Sequence, residues 1–110
     1  MNYMIIEGDS RNMFELPNES IDLIFTSPPY FNVKKYDENP NNIGNINNFD
    51  LYLQEIEKVF KECYRVLKFG CFVVVNISDI RSDTLRYNIP SYYSIILSRI
   101  GFKYKEDIIW

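Results

Sequence analysis

A chain of 110 residues that is 46% hydrophobic and 16% aromatic carries enough apolar mass for a core, which excludes a disordered tail. Twelve Lys and Arg against fifteen Asp and Glu leave a net charge of −3, so any nucleic acid must be held by a local site and not by an overall basic surface. Histidine is absent, which removes Ser-His and Cys-His nucleophilic schemes and any Cys/His zinc constellation.

Taken in chain order, Tyr3-Met4-Ile5-Ile6-Glu7 is a short apolar run closed by Gly8-Asp9-Ser10 and reads as a buried strand ending in a turn. Asp9 or Ser10 then caps a short helix through Leu16, broken at Pro17-Asn18-Glu19-Ser20. Ile21-Asp22-Leu23-Ile24-Phe25-Thr26 is a second strand, stopped by Ser27 and two prolines. Periodicity disappears over residues 31–48, where six of the ten residues 39–48 are Asn; this long connection is a binding segment, a mobile lid or asparagine-rich filler.

A helix follows. Phe49, Leu53, Ile56, Phe60, Cys63 and Leu67 recur at alternating steps of four and three, Asn48 is placed to cap it and Gly70 to stop it. Cys71-Phe72-Val73-Val74-Val75-Asn76 reads as a strand buried on both faces of a parallel sheet. Cys63 and Cys71 are expected to be small core residues. Residues 77–90 form a second irregular stretch carrying Asp79, Arg81, Asp83 and Arg86; a helix from Ser91 turns Ile96, Leu97 and Ile100 inward, and Gly101 ends it before a last strand over residues 102–110. The order is that of an open α/β sheet. No apolar run approaches membrane-spanning length and the N-terminus has no signal-peptide pattern, so a cytoplasmic protein without membrane contact is expected.

Thr26-Ser27-Pro28-Pro29-Tyr30 stands just past the carboxyl end of a strand, where open α/β sheets place their chemistry. Pro28 and Pro29 make a stiff turn that can aim a carbonyl and the Ser27 hydroxyl, both acceptors, at an amino group, with Tyr30 offering a flat face beside them. A planar ring bearing an exocyclic amine fits such a turn. Taken alone, the same residues also suit a plain strand-ending turn with Tyr30 covering the sheet edge.

Ile24-Phe25-Thr26-Ser27-Pro28-Pro29-Tyr30 resembles the catalytic motif of the N4-cytosine/N6-adenine DNA methyltransferases. Glu7-Gly8-Asp9-Ser10, about twenty residues upstream, resembles the family's Gly-Asp turn; Arg65-Val66-Leu67-Lys68-Phe69-Gly70 resembles its helix-to-strand stretch, with Phe69 and Cys71 in place of the usual Pro and second Gly. Ile108-Ile109-Trp110 resembles the start of a strand that in the family runs on past Trp. The aromatic-x-Gly-x-Gly cofactor motif does not occur, because no two of Gly8, Gly44, Gly70 and Gly101 are closely spaced. The chain therefore resembles the N-terminal, catalytic-motif part, residues 1–110, of a circularly permuted (beta-type) member whose cofactor-motif and target-recognition parts follow it.

The resemblance implies a partial Rossmann-like S-adenosylmethionine-dependent methyltransferase sheet with flanking helices. It implies methyl transfer from S-adenosylmethionine to the exocyclic amine of a base flipped out of double-stranded DNA, cytosine N4 favoured over adenine N6 because Ser precedes the diproline. Ser27, Pro28, Pro29 and Tyr30 are the expected catalytic residues, with Tyr30 also stacking on the base; Asp9 is expected at the adenosine part of the cofactor or, equally, as a cap on its own turn. Lys34 and Lys35, beside Tyr36, are candidate phosphate contacts, although Asp37 and Glu38 offset their charge. In the permuted sheet, strands of the absent part separate residues 3–7 from residues 21–26, so the two segments should not pair directly. A fragment, a split enzyme completed by its C-terminal half as a second polypeptide, and a decayed gene product all fit, the fragment best; such an enzyme either has a restriction partner or stands alone. Two other functions stay open: a non-catalytic DNA- or partner-binding remnant, and an RNA or protein amine methyltransferase.

Overall fold

The computed structural model describes residues 2–31, 38–78, 80–81 and 86–109. Strand β1 (Ile21–Thr26) runs parallel to β2 (Leu67–Val75), and helix α1 (Phe49–Val66) makes the connection between them. A 3₁₀ turn (Ile43–Asn45) precedes α1; strands β3 (Ile80–Arg81) and β4 (Arg86–Tyr87) form a short antiparallel pair, and helix α2 (Ile89–Ile100) follows. The result is a partial Rossmann-like arrangement: a small parallel sheet with flanking helices.

Helix α1 begins where expected, because the Asn48 side chain accepts from the Leu51 N–H at 2.9 Å. Its buried stripe is Tyr52, Ile56, Phe60, Cys63 and Val66. The stripe includes Tyr52, whose polar tip hid its role as a core residue, whereas Phe49 and Leu53 are half-buried. Helix α2 starts two residues before Ser91, with Asn88 as cap and Pro90 in the first turn, where a missing N–H costs nothing. Gly101, at φ +133°, ends it as expected. Ile89, Tyr93 and Ile96 of α2 join the α1 stripe, Phe31 and Ile43 in one core, and Ile24, Val73 and Val75 of the sheet pack against it.

Gly70 does not stop α1. The helix ends at Val66, and Gly70 lies inside β2 at φ +82°, at an irregularity where the register steps from Ile21 opposite Leu67 to Leu23 opposite Phe72. Nor is β2 buried on both faces. Phe72 (54% exposed) and, across from it, Leu23 (59%) lie on the face away from the core, with Phe25 (70%) one step on.

Three expected elements do not form. Residues 3–7 carry no strand and are exposed, Tyr3 and Ile5 at 86% each; residues 102–109 likewise form no strand. An isolated strand leaves its amide donors and acceptors to water, so an apolar run without a neighbouring strand gains nothing by becoming one. Residues 3–7 are accordingly not beside β1, as the permuted order required. The short helix after Ser10 is replaced by two turns, closed by Asn12 N–H on the Asp9 carbonyl (3.0 Å) and Leu16 N–H on the Met13 carbonyl (2.9 Å).

Candidate active site at the strand ends

The segments that leave β1 and β2 are clasped to one another. The Asn76 N–H donates to the Thr26 carbonyl at 2.9 Å, and the Ser27 hydroxyl donates to the Asn76 carbonyl at 3.2 Å. The Tyr30 and Ser78 hydroxyls lie 3.3 Å apart. Parallel pairing puts both exits at one edge of the sheet, so residues about fifty positions apart in the chain share one small surface.

The diproline turn is anchored from below. Pro28 and Phe31 are buried, whereas Ser27 is exposed and Pro29 and Tyr30 are half-buried. The Phe31 ring packs edge-on against Phe49 (centroids 5.1 Å apart) and Tyr87 (5.5 Å), and the Pro29 carbonyl accepts from the Tyr52 hydroxyl at 2.7 Å. Ser27 has a single hydroxyl hydrogen, and with that directed at Asn76 its lone pairs are what it offers outward. The edge therefore presents an acceptor oxygen beside an aromatic ring on a rigid turn, an arrangement suited to a planar group with an exocyclic amine.

Asn76 and Ser78 were not singled out in the sequence. Their only signal was position, at and just past the end of an apolar strand. Lys34, Lys35, Tyr36 and Asp37 lie outside the described residues, as do Asp79 and Asp83. Backbone pairing sets Arg81 opposite Arg86.

Asp9 occupies a different place. Its carboxylate caps its own turn, accepting the Arg11 N–H at 2.9 Å, and is gripped by the Arg11 guanidinium at 2.6 and 3.0 Å. That guanidinium holds the Asp9 carboxyl below the usual carboxylate range. Arg11 also reaches Glu55 on α1 (3.2 Å) and the Asn41 carbonyl (2.9 Å), which fixes the Asp9 turn to the helix and to the Asn-rich segment. A cavity of about 150 Å³, lined by Ile6, Gly8, Asp9, Ser10, Met13 and Leu16 among others, lies beside it. Arg65 makes a second staple, donating to Glu62, to the Met13 and Leu16 carbonyls and to the Asn18 side chain at 2.8–3.0 Å.

Residues 21–110 match the N6/N4 methyltransferase family, described as DNA methylase. The type II beta methyltransferase M.BslI of Bacillus sp. (strain NEB-606) is 30% identical over 96% of this chain, which corresponds to 12% of that protein. The DNA adenine methyltransferase YhdJ of Escherichia coli K12 is 33% identical over 96% of this chain and 32% of its own length. Among solved structures, TTHA0409 of Thermus thermophilus, assigned as a DNA modification methylase, superposes with a TM-score of 0.75 at 26% identity, covering 94% of this chain and 42% of that one. Its complex with S-adenosyl-L-methionine superposes with a TM-score of 0.69. The chain thus spans well under two-thirds of the relatives and structures it matches. With the Ser27-Pro28-Pro29-Tyr30 turn at the edge of a parallel sheet and the match running from β1 to the last residue, the chain belongs to the N6/N4 DNA methylase family.

Proposed function

We propose that residues 1–110 are the catalytic-motif part of an enzyme that methylates the exocyclic amine of a base in double-stranded DNA, cytosine N4 in preference to adenine N6. One observation carries this reading: the Ser27 hydroxyl gives its hydrogen to the Asn76 carbonyl, so its oxygen faces the site as an acceptor. Ser27 Oγ and the Pro28 carbonyl each take one amine hydrogen. Held this way, the amine nitrogen keeps its lone pair directed at the incoming carbon, and the positive charge that develops on nitrogen is met by two oxygen dipoles already in place. The nitrogen–carbon bond forms as the donor's sulfur–carbon bond breaks, and the proton that the nitrogen must then lose passes to water. Tyr30 offers its ring face to a base turned out of the stack. The preference for cytosine rests on Ser in place of Asp before the diproline.

When bound, S-adenosylmethionine supplies the methyl group. The cavity beside Asp9 suits one end of it: a carboxylate kept ionised by Arg11 and an apolar lining from Ile6, Met13 and Leu16 would receive the adenosine part. At about 150 Å³ it is smaller than the roughly 300 Å³ at which ligand pockets begin, so the remainder of the pocket comes from residues beyond this hollow. Lys34 and Lys35 are proposed as DNA phosphate contacts. Among the described residues, no helix is long and apolar enough to cross a membrane. The type II name of M.BslI supports a place beside a restriction enzyme, and the cytoplasm is where such DNA is reached.

The test uses the full-length protein that carries this chain, duplex DNA and methyl-labelled S-adenosylmethionine. Label should enter DNA, and Ser27→Ala should lower kcat about 10- to 100-fold while DNA binding stays within about twofold. Undiminished transfer by Ser27→Ala would refute the assigned role. DNA binding without transfer by the wild type would identify a binding module instead.

A further inference from the structure

The diproline turn is held by a chain of two buried hydroxyls from two different helices. Tyr52, on α1, is 0% exposed and donates to the Pro29 carbonyl at 2.7 Å; Tyr93, on α2, is 2% exposed, and its hydroxyl lies 2.7 Å from that of Tyr52. The carbonyl can only accept and a phenol has one hydrogen, so with Tyr52 donating to Pro29 the Tyr93 hydroxyl is the donor to Tyr52. The order Tyr93, Tyr52, Pro29 is thereby fixed.

Its effect on the site follows from proline geometry. The pyrrolidine ring sets φ of Pro29, which leaves ψ as the soft angle of that residue. Capture of the carbonyl sets ψ and with it the plane of the peptide that leads to Tyr30. Neither hydroxyl is needed to fill space, because the rings pack through their edges and faces: Tyr52 against Phe31 (centroids 5.4 Å apart) and Tyr93 against Phe60 (5.8 Å). The ring contacts of both are ones a phenylalanine also makes, and their hydroxyls lead in series, Tyr93 to Tyr52, to one carbonyl of the motif.

We propose that Tyr52, backed by Tyr93, is a positioning residue for the methyl-transfer reaction, holding the Pro29 peptide so that Tyr30 and the Ser27 and Pro28 acceptors face the base together. This rests on the function proposed above. The pair acts through the turn and touches neither base nor cofactor.

The test is single-turnover methyl transfer by the full-length protein and its Tyr52→Phe, Tyr93→Phe and doubly substituted variants, with S-adenosylmethionine and DNA affinities measured alongside. Tyr52→Phe is expected to lower the transfer rate constant about 10- to 100-fold with both affinities within about twofold, since misplacement of reacting groups acts on the chemical step. Tyr93→Phe, which leaves the bond to Pro29, should cost about threefold, and the double variant should be no slower than Tyr52→Phe alone, the non-additivity of two groups in one chain. Tyr52→Phe that melts earlier yet transfers at the wild-type rate per folded molecule would overturn the proposal and leave the pair a purely structural contact; additive losses in the double variant would also overturn it. Should Tyr52→Phe fail to fold, Tyr93→Phe decides: a slower rate at unchanged affinities supports the proposal and an unchanged rate overturns it. A wild type that transfers no methyl group to DNA overturns the functional reading and this proposal with it, whereas an active wild type with an undiminished Tyr52→Phe overturns this proposal alone.

Discussion

Ser27, Pro28, Pro29 and Tyr30 are contiguous, and contiguity is why they could be read from the sequence: the chemistry of a stiff acceptor turn is contained in four neighbouring residue types. Their partners were not legible for the opposite reason. Asn76, Ser78 and Tyr52 lie 49, 48 and 23 positions away from the residues they touch, and only the parallel pairing of β1 with β2 and the packing of α1 bring them there. Two predictions belong at this scale. Tyr30→Ala should weaken binding of a DNA duplex carrying an extruded target base by about 1–3 kcal/mol, the worth of one aromatic stack, whereas Tyr30→Phe, which keeps the ring and loses the hydroxyl that meets Ser78, should retain most of it; fluorescence anisotropy distinguishes them. Cys63 is the core residue it was expected to be, and burial pushes its thiol up to about 11, so it should resist alkylation at pH 8 until the chain is unfolded. Cys71 is only half-buried in β2.

At the scale of elements, the helices α1 and α2 were legible because each turns a periodic stripe into the core, and β1 because its apolar run is stopped by Ser27 and two prolines. The runs at residues 3–7 and 102–109 have the composition of strands, but strand formation depends on a neighbour, which composition does not report. Gly70 shows a second limit. Its glycine was read as a helix stop, yet what it supplies is a left-handed residue in a strand irregularity, and with open space around its Cα only the backbone is at stake. Gly70→Ala should therefore destabilise the fold by about 1–2 kcal/mol, measurable by urea denaturation, with no change in side-chain packing. The turns over residues 9–18 are held by charged side chains as well as by Met13, which packs against the core. Glu62, bonded first to Arg65 and then to the Met13 N–H, has its carboxyl held below the usual range, as does Glu55 beside Lys58 and Arg11. A depressed carboxylate stabilises the folded state above its unfolded pKa, about 4.3, and loses that contribution as pH falls through the lower folded value. Stability should thus be level from neutrality to about pH 5 and decline below about pH 4.5. Amide exchange over residues 13–18 should accelerate first; acceleration beginning instead in α1 would place the acid-sensitive contacts elsewhere.

For the whole molecule, one face of the sheet carries the core and the other leaves Leu23, Phe25 and Phe72 more than half exposed. Apolar surface of this kind on a parallel sheet is ordinarily covered by helices on both sides. The proposal that residues 1–110 are one part of a longer methyltransferase predicts that Phe25 and Phe72 are protected from hydroxyl-radical labelling in the full-length protein; labelling of both at the level of exposed Phe would contradict it. The acidic balance of the chain is compatible with that reading, since a basic DNA-facing surface need not lie within these residues. The central claim, that the Ser27 turn presents acceptors to an exocyclic amine, is tested most directly by identifying the modified nucleoside. Duplex DNA incubated with the full-length protein and S-adenosylmethionine should yield, after enzymatic digestion and mass spectrometry, N4-methylcytosine, lost together with activity in Ser27→Ala; methylation at a ring carbon would contradict the account.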